Sequence, residues 1–324
     1  MSLKGILNSS LCAVIVLSAP AGVLGQQFPN KPIRIVVPFS AGSATDILAR
    51  TVAQKMSENW GQQVVVDNRP GAGGTVAAPI VINSNPDGHT LMMVSAGHAA
   101  NATLYRKLAY DTTRDFAGVS LVASTPNLLA VGSGLGVKSV KELIALAKSK
   151  PGQLNFSSAG FGSGTHLNGE QFKMVAGINV THIPYRGAPE ALTDVITGRV
   201  HFLFTPIVAA LPFIKDGRAI PLAVSTVTRA PLLPEVPTIA EAALPGFEFD
   251  MWFGLLAGAK TTRALRDQLS KEVARIMQLR DVKDRIEGLG GIPRTNTPEQ
   301  FDAFIRAEVE KLGKVIEAAG AYAD

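Results

Sequence analysis

Short apolar runs, punctuated by Gly, Pro and Ser, alternate along most of the chain with longer stretches in which apolar residues return every three or four positions. The runs Ile33–Pro38, Val64–Asp67, Leu91–Ser95, Leu154–Ser157, Val180–Ile183, His201–Phe204 and Pro221–Ser225 predict strands. Between them, Asp46–Glu58, Thr75–Ile82, Val140–Lys148, Thr165–Val175 and Pro189–Ile196 predict helices; in the first, Leu48, Val52 and Met56 recur every four residues. Strands this short, separated by helices, predict an α/β chain whose sheets are parallel and covered on both faces. After a further strand at Trp252–Ala257 the pattern turns helical, over Thr261–Gln278, Val282–Gly288 and Pro298–Ala319. The last helix has a clear start: Thr297 at the cap, Pro298 at the first helical position and Gln300 three residues after the cap.

The first 25 residues break the pattern. Lys4 supplies a positive start, Leu11-Cys-Ala-Val-Ile-Val-Leu17 an apolar stretch, and Val23-Leu24-Gly25 a cleavage site before Gln26, so residues 1–25 read as an export signal. The protein is therefore expected in the periplasm. Beyond the signal no stretch approaches the ~18 apolar residues that span a bilayer. Cys12, the single cysteine, lies inside the signal and follows no lipid-attachment motif, so the exported chain lacks disulfides, thiol chemistry and Cys-based metal sites. Some 300 residues supply enough core without them. Lys4 is also the signal's one charge, leaving one fewer than 31 basic residues against 26 acidic. That excess is small and dispersed, with no run of four Lys/Arg, which argues against nucleic acid and is compatible with an anionic solute.

Two segments echo one another. Val37-Pro-Phe-Ser-Ala-Gly-Ser-Ala-Thr-Asp46 and Phe156-Ser-Ser-Ala-Gly-Phe-Gly-Ser-Gly-Thr-His166 each run from strand through a Gly/Ser/Thr loop into a helix start, one in each half. Such a turn leaves backbone N–H groups unpaired and adds the positive end of a helix dipole, which suits a carboxylate or phosphate. Gly42, Gly160, Gly162 and Gly164 permit the turns and close approach of a ligand. Ser43, Thr45, Ser163 and Thr165 add hydroxyl donors. Thr45, Asp46 and Thr165 equally suit simple capping of their own helices. A third loop, Asn68-Arg-Pro-Gly-Ala-Gly-Gly-Thr75, has the same strand-to-helix setting.

Enzyme signatures are missing. Neither Gly-rich loop places a glycine at the third position of a dinucleotide fingerprint, no phosphate-binding Gly-Lys-Ser/Thr motif occurs, and Gly162 stands where a nucleophile elbow needs serine. The five histidines are scattered; His166 and Glu170 share a helical face, a spacing more usual for a surface pair or a cap than for a metal. No metal, cofactor or catalytic residue is expected. Ser95 and His98, at a strand end, could reach a cleft, with His98 equally suited to a structural role. Tyr185-Arg186 offers an aromatic wall beside a guanidinium, although Arg186 suits a solvated loop as well. Trp252 and Phe253 read as core.

Taken in order, Pro29–Phe39, Ala41–Asp46, Asp67–Thr75, Pro86–Thr90, Ser157–Gly160, Gly162–His166, Pro184-Tyr185, Leu232–Thr238 and Leu244–Gly246 resemble the Bug/TctC family of periplasmic substrate-binding proteins, over essentially the whole exported chain. The resemblance implies a type II-like, Venus-flytrap fold: two α/β lobes, each a sheet flanked by helices, joined by two crossover strands. It divides the chain into 26–123 plus 246–324 and 124–245, with hinges near Ala123–Thr125 and Ser225–Gly246. It further implies that the loops Phe39–Asp46 (with Phe39, Gly42, Ser43, Ala44, Thr45 and Asp46) and Ser157–His166 (with Ser158, Gly162, Ser163, Gly164, Thr165 and His166) hold a carboxylate through backbone amides and ordered water. The implied ligands are di- or tricarboxylates, acidic amino acids or aromatic acids. The implied partners are the permease subunits of a tripartite transporter, served by a monomer. Where many members carry an Asp that engages an ammonium group, this chain has Thr205, which points to an acid without an amine. Two other roles remain open at this point: presenting ligand to a sensor kinase, and an exported hydrolase of small esters or amides.

Overall fold

The computed structural model describes residues 28–323, so the export signal read over residues 1–25, with Cys12, lies outside the described residues. The elements follow in chain order. The first lobe opens with β1 (Ile33–Val37), α1 (Ala44–Trp60), β2 (Val64–Asn68), α2 (Ala78–Ile82), β3 (Thr90–Ser95), α3 (Gly97–Leu104) and β4 (Phe116–Gly132). The second contains α4 (Val140–Ser149), β5 (Asn155–Ser158), α5 (Gly164–Ala176), β6 (Thr181–Pro184), α6 (Ala188–Ile196), β7 (Phe202–Pro206), α7 (Ile207–Lys215), β8 (Ala219–Val224) and α8 (Ile239–Ala242). The chain returns through β9 (Asp250–Gly258) to α9 (Arg263–Gln278), α10 (Arg280–Gly288), β10 (Ile292–Pro293) and α11 (Pro298–Ala319).

The two lobes repeat one plan. In the first, β1 pairs in parallel with β2 and β3; in the second, β5 pairs in parallel with β6 and β7. The strands between them are antiparallel, which corrects the expectation of purely parallel sheets. β9 runs against β3 and β4, and β4 runs against β9 with its first part and against β7 and β8 with its second. β4 therefore belongs to both lobes. It escapes the alternation pattern because all but one of its residues are buried, which leaves no polar face to mark a period. Pro126 in its middle also argues against a central strand. It is tolerated where the strand passes from one sheet to the other, as its partner changes from Asp250 of β9 to the β7 edge at Asn127.

Three helices lacked a signal: α3 is rich in small residues, α7 is apolar up to its last residue Lys215 with Pro212 inside it, and α8 is a single turn of four residues. Of the helix expected over Thr75–Ile82 only Ala78–Ile82 is α-helical; residues 75–77 are a turn that follows a 3-10 turn at Ala72–Gly74, where Gly73 and Gly74 adopt positive φ. The remaining helices form where periodicity places them. In α1, Leu48, Val52 and Met56 are buried together with Ala49 and Ala53, and Gly61 ends the helix at φ 64°.

The main core joins β1, β3, β4 and β9 with α1, α3, α9 and α11; a second cluster lies between β4, β7 and β8 and the helices α6 and α7. No helix among the described residues is long and apolar enough to cross a membrane.

α11 opens with a full capping box: the Thr297 hydroxyl accepts the Gln300 amide at 3.3 Å, and the Gln300 side chain accepts the Thr297 amide at 3.0 Å. Thr297→Ala should cost about 1 kcal/mol, read as a lower urea midpoint with an unchanged slope.

Candidate functional site

Ser43 and Ser163 hold equivalent positions in two superimposable loops. Each caps a helix in extended backbone geometry, α1 at φ −68°, ψ 158° and α5 at φ −67°, ψ 155°. Each hydroxyl accepts the amide of the third helical residue, Asp46 or His166, at 3.3 Å. The glycines before them, Gly42 at φ 81° and Gly162 at φ 76°, occupy the left-handed region. The third helical side chain then folds back onto that glycine: the Gly42 amide donates to Asp46 Oδ2 at 2.9 Å, and the Gly162 amide donates to His166 Nδ1 at 3.2 Å. The cap amides close the turns on Ser40 and Gly160 carbonyls, at 3.2 and 3.1 Å. This scheme accounts for the amides of the glycine, of the cap and of the third helical residue in each loop. Ala44 and Thr45, and across from them Gly164 and Thr165, have no intrahelical acceptor.

The two helix ends face a single cavity of about 20 Å³. Phe39, Ser43, Ala44, Thr45 and Ser95 line it from the first lobe and Ala159, Ser163, Thr165, Ala188 and Pro206 from the second, with Met251 and Phe253 of the crossing strand β9 between them. No lining side chain carries a charge. That volume admits about one water molecule, so the lobes are closed on each other. Their contact is close and partly backbone to backbone. Ser40 Oγ donates to the Arg186 carbonyl at 3.1 Å and to Glu190 Oε1 at 3.2 Å. A Cβ on Gly97 would stand 2.2 Å from the Gly162 carbonyl oxygen, and one on Gly73 2.2 Å from that of Phe161. The third glycine loop thus serves as a bearing surface for the second.

Asp46 is buried, and its carboxylate is committed to its own loop: besides Gly42 it accepts from Asn68 Nδ2 at 2.9 Å and from Arg50 Nε at 3.0 Å. Burial pushes its pKa up, but the hydrogen bonds from Arg50, Gly42 and Asn68 outweigh it and hold the group ionised below the usual carboxylate range. Asn68 also donates to the Phe39 carbonyl at 3.0 Å, so the loop is braced from β2. The second loop is braced by rings instead. His166 lies 4.0 Å from His182 and 4.5 Å from Phe161, centroid to centroid, with Phe156 stacked at 4.9 Å on His182. Burial, then the neighbouring His182 and Lys173, hold the His166 pKa well below normal, which fits its Nδ1 acting as an acceptor. His166 and Glu170 form no surface pair: both are buried, 3.7 Å apart, with Glu170 joined to Lys173 at 3.0 Å.

The other expected residues lie outside the cavity lining. His98 sits behind it, bonded through Nε2 to the Thr112 carbonyl at 3.0 Å and edge-on to Phe116. Ser158 is fully buried, 2.7 Å from His182 Nε2; this serine–histidine pair has no opening to the cavity. Tyr185 donates to Asp194 at 2.6 Å, and the Arg186 side chain is exposed. Thr205 is paired with Leu128, on the sheet face of the second core cluster. Five lining residues were not among the expected contacts: Ala159 lies inside the second loop, Pro206 ends β7, and Ala188, Met251 and Phe253, the last read as core, become wall only when β9 and α6 meet the two loops. A roomier depression of about 560 Å³ near Arg106 and Asp111 offers no converging donors. Its charges are already engaged, Asp111 with Thr113 and Arg114, and Arg106 over the Tyr322 ring at 4.5 Å.

Residues 48–321 match the model of the tripartite tricarboxylate transporter family receptor, TctC. A protein of Pseudomonas sp. strain P51, from the tcbD–tcbE intergenic region, is 38% identical over 290 residues, 89% of this chain and 86% of that one. Among solved structures, adipate-bound Rpa4515 of R. palustris superimposes with a TM-score of 0.87 at 36% identity, covering 90% of this chain and 98% of its own. Malate-bound MatC of Rhodopseudomonas palustris gives 0.83 at 32% identity, covering 89% and 100%.

Three histidines kept neutral by their surroundings, His98, His166 and His182, make stability pH-dependent. Burial lowers the His98 pKa to about 4, opposed by its bond to Thr112, and lowers that of His182 to about 3. Between pH 6.5 and 4 the unfolded chain takes up protons that these folded imidazoles refuse, so stability rises with pH across that window and is complete above it. For His98 the loss at pH 4 amounts to about 3 kcal/mol. Melting temperature should therefore fall steeply from pH 6.5 to 4, and less so in His98→Gln; a flat wild-type profile would contradict the assignment.

Proposed function

The chain belongs to the Bug/TctC family of tripartite tricarboxylate transporter receptors, and we propose that it captures a small carboxylate between its lobes and presents it, as a monomer in the periplasm, to the permease subunits of such a transporter. One observation carries the reading: two helix N-termini, one from each lobe, converge on the same small cavity with the amides of Ala44, Thr45, Gly164 and Thr165 uncommitted. Two positive dipole ends and several hydroxyls, with no cation in the lining, suit a compact anion held by hydrogen bonds. The relatives bound to adipate and to malate support a carboxylate as that anion. The lining carries hydroxyls but no His, carboxylate or amine to activate one, which favours retention over turnover.

The lobes comprise 26–123 with 246–324, and 124–245, and residues 1–25 direct export. A ligand larger than water enters only when the lobes separate, and each loop supplies half of its donors. Ligand therefore binds the closed form better and shifts the population towards it. The pivot lies where Asn127, Ser225 and Phe249 are laced together: Ser225 N donates to the Asn127 carbonyl at 2.8 Å, and its hydroxyl to the Phe249 carbonyl at 2.6 Å.

Ala44→Pro tests the amides directly. Proline is favoured at the first helical position, and Ser43 before it is already extended, so the helix survives while one N–H is deleted. In a thermal-shift screen of carboxylates, aromatic acids, amino acids and sugars, the best acid at ~100 times its Kd should stabilise the wild type by about 2.7 kcal/mol. Ala44→Pro should weaken that acid about tenfold or more with little change in the ligand-free melting temperature. Shifts with sugars or amines alone, or unaltered affinity in Ala44→Pro, would remove the loops from the site.

Gly97→Ala places a methyl against the Gly162 carbonyl and should hold the lobes apart. Small-angle scattering with saturating acid should then report a larger radius of gyration than for the wild type with the same acid.

A further inference from the structure

Two asparagines on elements that border the cavity are buried with their amides unused. Asn127 of β4 and Asn168 of α5 are both completely buried, and neither Oδ1 nor Nδ2 of either finds a hydrogen-bonding partner in the protein. Their level in the fold is fixed by contacts on each side. Along the sheet, Thr125 stands opposite Met251, Asn127 opposite Pro206 and Leu129 opposite Phe204, all on one face. Along α5, Gly164, Asn168 and Phe172 succeed one another at one-turn spacing on one side of the helix. The ends of the two rows touch: the Met251 thioether lies against Gly164, and the Phe172 ring is edge-on to Phe204 at 5.6 Å. Each asparagine stands in the middle of its row: Asn127 pairs with the cavity residue Pro206, and Asn168 follows one turn after Gly164, which meets the cavity residue Met251.

Four amide atoms without protein partners are a standing cost to the fold, since buried polar groups are almost always satisfied. Apolar side chains of the same shape would remove it, and the surroundings are apolar enough to take them. We propose that Asn127 and Asn168 form a second polar subsite, on the floor of the cleft, which receives the end of the ligand remote from the carboxylate held by the two helix termini. The inference rests on the carboxylate-capture reading above. Met251 is the gate: an unbranched, flexible side chain separates the amides from the cavity, and its rotation as the lobes part joins the two spaces. With donors and acceptors in both amides and no charged side chain in the cavity lining, the subsite selects acids bearing a second hydrogen-bonding group over plain fatty acids. A wholly apolar tail placed there would leave the amides unpaired, the situation that polar sites reject most strongly.

The test uses three acids of one chain length, hexanoate, 6-hydroxyhexanoate and adipate, titrated calorimetrically into the full exported chain. The wild type should bind at least one of the two ω-substituted acids about tenfold or more tightly than hexanoate, and which of the two wins reports whether the remote group is neutral or charged. In Asn168→Leu and in Asn127→Leu that preference should collapse to about one, while the ligand-free melting temperature stays equal or rises. Hexanoate binding the wild type as tightly as its partners, or a preference that survives in both variants, overturns the subsite and leaves carboxylate capture standing. A fall in the ligand-free melting temperature of both variants also overturns it, by making the amides structural. Capture itself fails only if no acid of the wider screen stabilises the wild type.

Discussion

An α-helix cannot satisfy its own first amides, and the cleft of this protein is built around that constraint. At both α1 and α5 a serine cap takes the third amide, and the side chain of the third helical residue takes the amide of the glycine before the cap. What is left over is two N–H groups per helix, aimed outward along the helix axis with the positive end of the dipole behind them. Asp46 and His166 do chemically different versions of one task. The first is an ionised carboxylate braced by Arg50 and Asn68, the second a neutral imidazole held among aromatic rings. Both stand behind the ligand surface and keep the amides rigid, so that little ordering is spent when an anion arrives.

The same constraint explains why two lobes are needed. One helix end in water competes poorly for a carboxylate, because water hydrates the anion well. Two ends that meet in an enclosed, uncharged cavity exclude that water and act together. Enclosure depends on how near the lobes can come. At Gly73 and Gly97 the answer is backbone contact, because a side chain there would overlap the opposing carbonyls of Phe161 and Gly162. The glycines of the third loop and of the α3 start are thus part of the closing mechanism without touching the ligand.

Strand β4 links this to motion. It is hydrogen-bonded into both sheets, so the lobes are parts of one continuous hydrogen-bonded surface in which the pairing partner changes between Pro126 and Asn127. A proline without an N–H is easier to accommodate there than in either sheet's interior. Ser225 ties the outgoing strand to the returning one through both its backbone and its hydroxyl. The buried Asn127 belongs to that junction, its amide N–H donating to the Ser225 hydroxyl at 3.1 Å.

Local pattern determined much by itself. The apolar spacing of Leu48, Val52 and Met56, the caps at Ser43, Ser163 and Thr297, and the glycines that turn each loop depend on neighbours within a few residues, so they are written in order along the chain. The echo between the two loops was visible for the same reason, and with it a pair of serine-capped helix starts. Long-range pairing decided the rest. β4 carries no alternation because both faces are buried, and the antiparallel course of β4 and β9 depends on partners far apart in sequence. Likewise Met251, Phe253 and Pro206 became cavity wall, and Tyr185, Arg186 and Thr205 were turned away from it, through the register of strands that no local spacing encodes. His98 has the chemistry of a ligand contact, yet the Thr112 carbonyl and the Phe116 ring make it a buried prop. Residue type fixes which bonds a side chain can make, and only the tertiary structure decides which partner stands within reach.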